Sequence, residues 1–215
     1  MRARLGVWVG WGLLALGLFS MARAEESVTL VLGDSLSAAY GIPSDSGWVT
    51  LLEHKLTHTE ATPRLVNSSI SGETTAGGLA RLPALLKTLN PEAVLVFLGG
   101  NDGLRGIDPD VTRAHLHAMA SLSQAAGAEV GFIPVRLPAN YGKPYIAAFE
   151  ALYAEVCRTA SADCIAFPWE EIGLNSRYMQ PDGLHPNAEA QPIILERLWP
   201  ALCAWRHWPE CASPP

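Results

Sequence analysis

Val28-Thr29-Leu30-Val31-Leu32-Gly33-Asp34-Ser35 is the stretch that decides the fold. Its first five residues are apolar or β-branched, without polar alternation, as expected of a strand buried on both faces, and such strands belong to parallel sheets covered by helices. Four further runs read the same way, at 64–67, 93–98, 129–134 and 164–167. Helix-length amphipathic stretches lie between them at 48–57, 76–89, 109–126 and 144–160, with a last one at 187–201. This alternation predicts a three-layer α/β/α domain with right-handed crossovers. Ligands of such sheets bind beyond the carboxyl ends of the strands, near a topological switch point.

That rule directs attention to the residues just past each strand. Ser35 comes after the first, Ser71-Gly72 after the second, and Gly99-Gly100-Asn101-Asp102 after the third. Far downstream lies Asp182-Gly183-Leu184-His185-Pro186. A serine hydroxyl is a poor nucleophile near neutral pH, so acyl transfer needs an imidazole to take its proton and a carboxylate to fix the tautomer. Ser35, His185 and Asp182 supply those three groups. The backbone N–H of Ser35, the N–H of Gly72 and the amide of Asn101 are uncharged donors of the kind that shelters a developing oxyanion. Taken singly, each has an ordinary structural reading. A serine after a strand caps helices, Asp-x-x-His makes a solvated turn, and Asn-Asp-Gly is good turn chemistry. Their joint occurrence, in order and at strand ends, favours catalysis. Asp34 reads as a support for the serine turn.

The first 24 residues have the form of a secretory signal. Arg2 and Arg4 precede an uncharged run over 5–19, and Ala22-Arg23-Ala24 offers small residues at a cleavage point. The run is shorter than the ~20 residues that span a bilayer. Cleavage leaves a single domain at 25–215, without stable membrane insertion. Three of the 15 Lys and Arg lie in the leader and none of the 21 acids does, so the mature chain carries 12 against 21, a formal charge of −9. Nucleic acid and anionic surfaces are poor electrostatic partners for such a chain. The even set Cys157, Cys164, Cys203 and Cys211 reads as disulfides in an exported protein. Of three connectivities, local closure favours Cys157 with Cys164 and Cys203 with Cys211.

The blocks Gly33-Asp34-Ser35-Leu36, Gly72, Gly99-Gly100-Asn101-Asp102 and Asp182-Gly183-Leu184-His185 resemble the four signatures of the SGNH (GDSL) hydrolase family. The longer stretches SISGETTAGGLARLPALL from Ser69, LGGNDGLRG, RLPANYG and DGLHPNAEAQP extend the likeness over nearly all of the mature chain, toward the periplasmic branch acting on acyl thioesters, lysophospholipids and aryl esters. The resemblance implies a five-stranded parallel flavodoxin-like sheet, with Ser35 as nucleophile, His185 as base and later acid, and Asp182 as orienting carboxylate. It implies an oxyanion hole of Ser35, Gly72 and Asn101. It also supports the loops at 104–109 and 137–141 as substrate loops, with Ile107, Leu137, Pro138 and Tyr141 beside the acyl chain. The cysteines and the tryptophan-rich end at 199–215 stand outside the family pattern.

Neither a metal nor an organic cofactor is expected. His54 and His58 share a helix face, but Lys55 stands where a zinc protease would have glutamate, and His115 and His117 point to different sides. The expected partner is a small amphiphilic acyl ester or thioester, processed after export by a secreted serine esterase. Two alternatives stay open: a carbohydrate acetylesterase of the same family, and a non-catalytic acyl-ligand or envelope-binding protein anchored through Trp199, Trp205 and Trp208. Oligomeric state is not legible.

Overall fold

A computed structural model describes residues 27–56 and 63–212. The leader at 1–24, the last residue of the first expected helix and His58 lie outside the described residues. Five parallel strands form one sheet: β1 (Val28–Gly33), β2 (Arg64–Asn67), β3 (Ala93–Phe97), β4 (Glu129–Phe132) and β5 (Asp163–Cys164). Their order is β2-β1-β3-β4-β5. The chain runs outward from β1 to β2, then back across β1 to β3, so the order reverses between β1 and β3. That crevice is the switch point of a flavodoxin-like sheet.

Burial explains which strands are long. Every residue of β1 and β3 is buried, as the unbroken apolar runs require. The edge strands are short, and only Leu65 of β2 and neither residue of β5 is buried. The strand expected at 164–167 is thus corrected to Asp163–Cys164. Its ladder partner β4 runs into Pro134, which has no N–H to donate, and pairing ends with Phe132 opposite Cys164. Ile165 still donates to Phe132 O at 2.8 Å, and Ile165 and Phe167 turn inward to the core.

Helices α1 (Trp48–Leu56), α2 (Thr75–Leu89), α4 (Pro109–Ala125), α5 (Lys143–Thr159) and α7 (Ala190–Arg206) cover the sheet. Two short helices, α3 (Gly100–Leu104) and α6 (Trp169–Ile172), lie outside the helices expected from the sequence. The last helix begins and ends later than the expected 187–201, passing through Pro200 to a left-handed cap at His207. The buried backbone N–H of Trp48 donates to Gln191 Oε1 at 3.1 Å, tying the start of α1 to α7.

The cysteines pair locally, Cys157 with Cys164 and Cys203 with Cys211. Trp205 and Trp208 are buried and Trp199 stacks on Trp208 at 6.2 Å. The tryptophans therefore pack inward and form no exposed anchoring face. Arg206 pairs with Glu92 and Glu129 at the amino ends of β3 and β4, the end of the sheet away from Ser35.

Candidate active site

The chain leaves β1 through an aspartate that organises the next turn. Asp34 Oδ1 accepts from Leu36 N–H at 3.0 Å, and Asp34 O accepts from Ser37 N–H at 3.2 Å and Ala38 N–H at 3.0 Å. Ser35 is thereby held just beyond the strand. Burial pushes the Asp34 carboxyl up to about 6, against the opposing pull of the Leu36 N–H, nearby His185 and the Asn101 amide, with Asp102 adding to the rise.

His185 arrives from the other end of the sequence on a loop stapled to this turn. Gln180 N–H donates to His185 O at 2.8 Å, while Gln180 Nε2 donates to Tyr40 O at 2.8 Å and to Pro186 O at 3.1 Å. The Tyr40 ring lies 4.7 Å from the imidazole, centroid to centroid. The result is one continuous hydrogen-bonded line. Ser35 Oγ stands 2.9 Å from His185 Nε2, and His185 Nδ1 stands 2.7 Å from Asp182 Oδ2. Asp182 Oδ1 accepts the N–H groups of Leu184 at 2.9 Å and His185 at 3.0 Å. Burial would raise the Asp182 carboxyl, yet the His185 ring and these two N–H groups outweigh it and hold it below the usual carboxylate range. With Nδ1 protonated toward Asp182, Nε2 presents a lone pair to the serine hydroxyl. That is the arrangement needed for general-base attack.

Asn101 lines the same cleft as Ser35, and its side chain holds the turn that carries Gly72. Gly99 initiates α3 with φ +114, where a Cβ would sit 2.2 Å from the Tyr153 hydroxyl, so a side chain is excluded by both conformation and space. Asn101 sits in the first turn of α3, and its Nδ2 donates to Glu73 O at 3.0 Å and more weakly to Asp34 Oδ2 at 3.3 Å. Gly72 occupies the tip of the Ile70–Glu73 turn with φ +79. Behind them, buried Asp102 accepts from both the N–H and the hydroxyl of Thr75, joining α3 to the first turn of α2.

A cleft of about 630 Å³ opens from Ser35, His185 and Asn101. Its apolar wall includes Leu104, Val135, Leu137, Ile146, Trp169 and Leu184. Leu137 and Pro138 line it as read from the sequence, but Ile107 and Tyr141 do not. The Tyr141 hydroxyl donates to Leu104 O at 2.9 Å, and Ile107 O accepts from the Tyr145 hydroxyl at 2.8 Å, so both are tied to the loop that carries Leu104. The sequence reading missed Gln180 and Tyr40, since neither position carries a signal beyond ordinary turn and surface composition. It also missed Trp169 and Ile146, whose place in the wall depends on the packing of α5 and α6 over β4. Of the remaining histidines, His115 Nδ1 meets the Thr75 hydroxyl at 2.9 Å and His117 Nε2 meets the Thr159 hydroxyl at 3.0 Å, on opposite sides of α4. Among the described residues no cluster of His, Cys, Asp or Glu is placed to hold a metal ion.

The profile of the GDSL-like Lipase/Acylhydrolase family matches residues 31–192, from β1 to the start of α7. The chain belongs to that family. As a GDSL-like acylhydrolase it has near relatives of known name. Esterase TesA of Pseudomonas aeruginosa is 46% identical over 191 residues, covering 89% of this chain and 94% of that protein. The protein named Thioesterase 1/protease 1/lysophospholipase L1 of Escherichia coli K12 is 44% identical over 183 residues, covering 85% and 86% respectively. Among solved structures, a crystal structure of TesA matches with TM-score 0.80 at 45% identity, covering 83% of this chain and 99% of that one. The psychrotrophic esterase EstA of Pseudoalteromonas sp., inhibited by monoethylphosphonate, matches with TM-score 0.81 at 39% identity, covering 84% and 99%. The family's four sequence blocks in this acylhydrolase thus converge on one rim of the sheet.

Proposed function

We propose that this acylhydrolase is an exported serine esterase that cleaves acyl oxyesters and thioesters, lysophospholipids among them, through an acyl-enzyme on Ser35. The observation that carries the reading is the unbroken line from Asp182 through His185 to Ser35, with steps of 2.7 and 2.9 Å at the switch point. His185 Nε2 takes the hydroxyl proton as Ser35 Oγ attacks the carbonyl carbon. The tetrahedral oxyanion faces the N–H groups of Ser35 and Gly72 and the Asn101 amide. The Asn101 hydrogen now shared with Asp34 at 3.3 Å is the one released to the substrate, because a contact that long is a weak competitor for a full anion. His185 then returns the proton to the departing alcohol or thiol. Water, deprotonated by the same imidazole, attacks the acyl-enzyme and frees the carboxylic acid.

Substrate class is argued from the cleft. A largely apolar wall in a cleft of about 630 Å³ suits an acyl chain longer than acetyl, with Leu137 and Pro138 beside it. Thiolates depart more readily than alkoxides, so a triad able to cleave oxyesters also handles thioesters. The names of the relatives, esterase and Thioesterase 1/protease 1/lysophospholipase L1, support the same range. Export is supported by the composition of residues 1–24 and by two disulfides, which persist in oxidising compartments. Outside the cell interior, acyl-CoA is scarce and lysophospholipids are the nearer substrate.

The test is a panel of acyl chain lengths on oxyester, thioester and lysophospholipid, with Ser35→Ala as blank and a serine-reactive phosphonate as label. Hydrolysis that falls to the blank in Ser35→Ala, together with labelling of Ser35, is the expected result. An active Ser35→Ala protein would end the assignment, and a preference for acetyl over medium chains would move it to the carbohydrate acetylesterases.

A further inference from the structure

Helix α3 grips the Gly72 turn at two successive carbonyls. Asn101 Nδ2 donates to Glu73 O at 3.0 Å, and Arg105 Nη2 donates to Gly72 O at 2.9 Å. The two side chains are four residues apart, one above the other on the same face of a helical turn. Arg105 N–H closes that turn on Asn101 O at 3.1 Å. On the other side, Glu73 N–H donates to Ile70 O at 3.1 Å. The planar peptide between Gly72 and Glu73 is therefore held at its oxygen by Arg105 and at its nitrogen by Ile70. With that plane fixed, the direction of the Gly72 N–H depends only on the two rotations at the Gly72 Cα, ψ and φ, with φ observed at +79.

A Cβ built on Gly72 would meet no atom within 4 Å, so nothing packs against the tip of the turn on that side. Its base has separate anchors: Ile70 N–H donates to Gly33 O at 3.0 Å, and the Arg81 guanidinium donates to Ser68 O and pairs with Glu73. Arg105 is exposed, and neither it nor Gly72 is among the residues that line the cleft wall. We propose that Arg105 is a positioning residue, which fixes the spacing between the Gly72 N–H and the Asn101 amide so that both reach one oxyanion. The proposal rests on the serine esterase reading above and goes beyond it, since it places a charged side chain outside the cleft in control of transition-state stabilisation.

The experiment compares wild type, Arg105→Ala, Arg105→Gln and Arg105→Lys on p-nitrophenyl butyrate, and measures the affinity of each for phenylboronic acid. Boron accepts the Ser35 oxygen while His185 takes its proton, giving a tetrahedral anion held by the same donors. Displacing a donor by a fraction of an ångström is expected to lower kcat about tenfold in Arg105→Ala. KM stays within about twofold, phenylboronic acid binds more weakly by the same factor as kcat, and Tm is unchanged because the base anchors remain. Added guanidinium ion restores part of the rate to Arg105→Ala and none to wild type, and Arg105→Lys loses less than either truncation. If Arg105→Ala melts early, Arg105→Gln is read in its place. A kcat within twofold of wild type, or a loss carried by KM with phenylboronic acid affinity intact, overturns the positioning role while leaving the esterase standing. Wild-type protein that neither hydrolyses the ester nor binds phenylboronic acid overturns both.

Discussion

Replacing Asp182 by asparagine separates the orienting role of this residue from its charge. In the wild type Oδ1 accepts two backbone N–H groups while Oδ2 faces His185 Nδ1 at 2.7 Å. An asparagine that keeps its oxygen on the two N–H groups must turn its NH₂ toward Nδ1. The imidazole then carries its proton on Nε2 and cannot take one from Ser35. Flipping the amide restores the tautomer at the expense of both backbone bonds, about 1–3 kcal/mol for two neutral hydrogen bonds. The lost attraction to the imidazolium of the transition state adds roughly 1–4 kcal/mol between the aqueous and near-surface limits. The low end of that range is the relevant one, because the Asp182 side chain is 38% exposed and solvent screens it. Together these give about 2–4 kcal/mol, or a kcat lower by roughly 30-fold to 10³-fold. A fully buried triad acid costs more, about 10⁴. The assay is kcat on p-nitrophenyl butyrate with Ser35→Ala as blank, alongside Tm. A loss smaller than about fivefold in well-folded Asp182→Asn would refute the claim that this carboxylate sets the tautomer.

Asn101→Ala should lower kcat by roughly 10²–10³ with little change in KM, checked on the same ester, if it supplies one donor of the proposed oxyanion hole. Asp34, raised by burial to about 6, binds its proton more tightly in the folded than in the unfolded chain. Its contribution to stability is therefore full below about pH 4 and is lost as pH rises to about 6, by about 3 kcal/mol. Urea midpoints of wild type minus Asp34→Asn should fall across that window, and a flat difference would show that the carboxyl is not desolvated. Finally, a Cβ at Gly103 would lie 2.3 Å from Leu137 Cδ2. Gly103→Ala should push that side chain toward the cleft and reduce kcat/KM for octanoyl esters about tenfold relative to acetyl esters, a ratio measurable in one chain-length series.

How much of the fold and site was legible depends on whether the signal is local. β1 and β3 could be read because a strand buried on both faces must be apolar throughout. The three functional blocks could be placed because strand ends at a switch point share one rim. The end of β5 could not, since it is set by Pro134, two residues past the end of neighbouring β4. Ile107 and Tyr141 lie in the loops read beside the cleft, yet neither lines it. Sequence locates a loop, but the direction of each side chain depends on what packs behind it, here the carbonyl of Leu104 and the ring of Tyr145. The grip of Arg105 on Gly72 joins residues 33 apart and involves a backbone carbonyl, which leaves no trace in side-chain composition.

Ser35 emerges early in synthesis and His185 late, on the loop just ahead of α7, which is fastened to the start of α1 through Gln191 and Trp48. A growing or half-folded chain accordingly holds a harmless alcohol with no base within reach. Docking of the final helix against the first thus accompanies the meeting of Ser35 and His185 at 2.9 Å, which ties assembly of the proposed site to the completion of the fold.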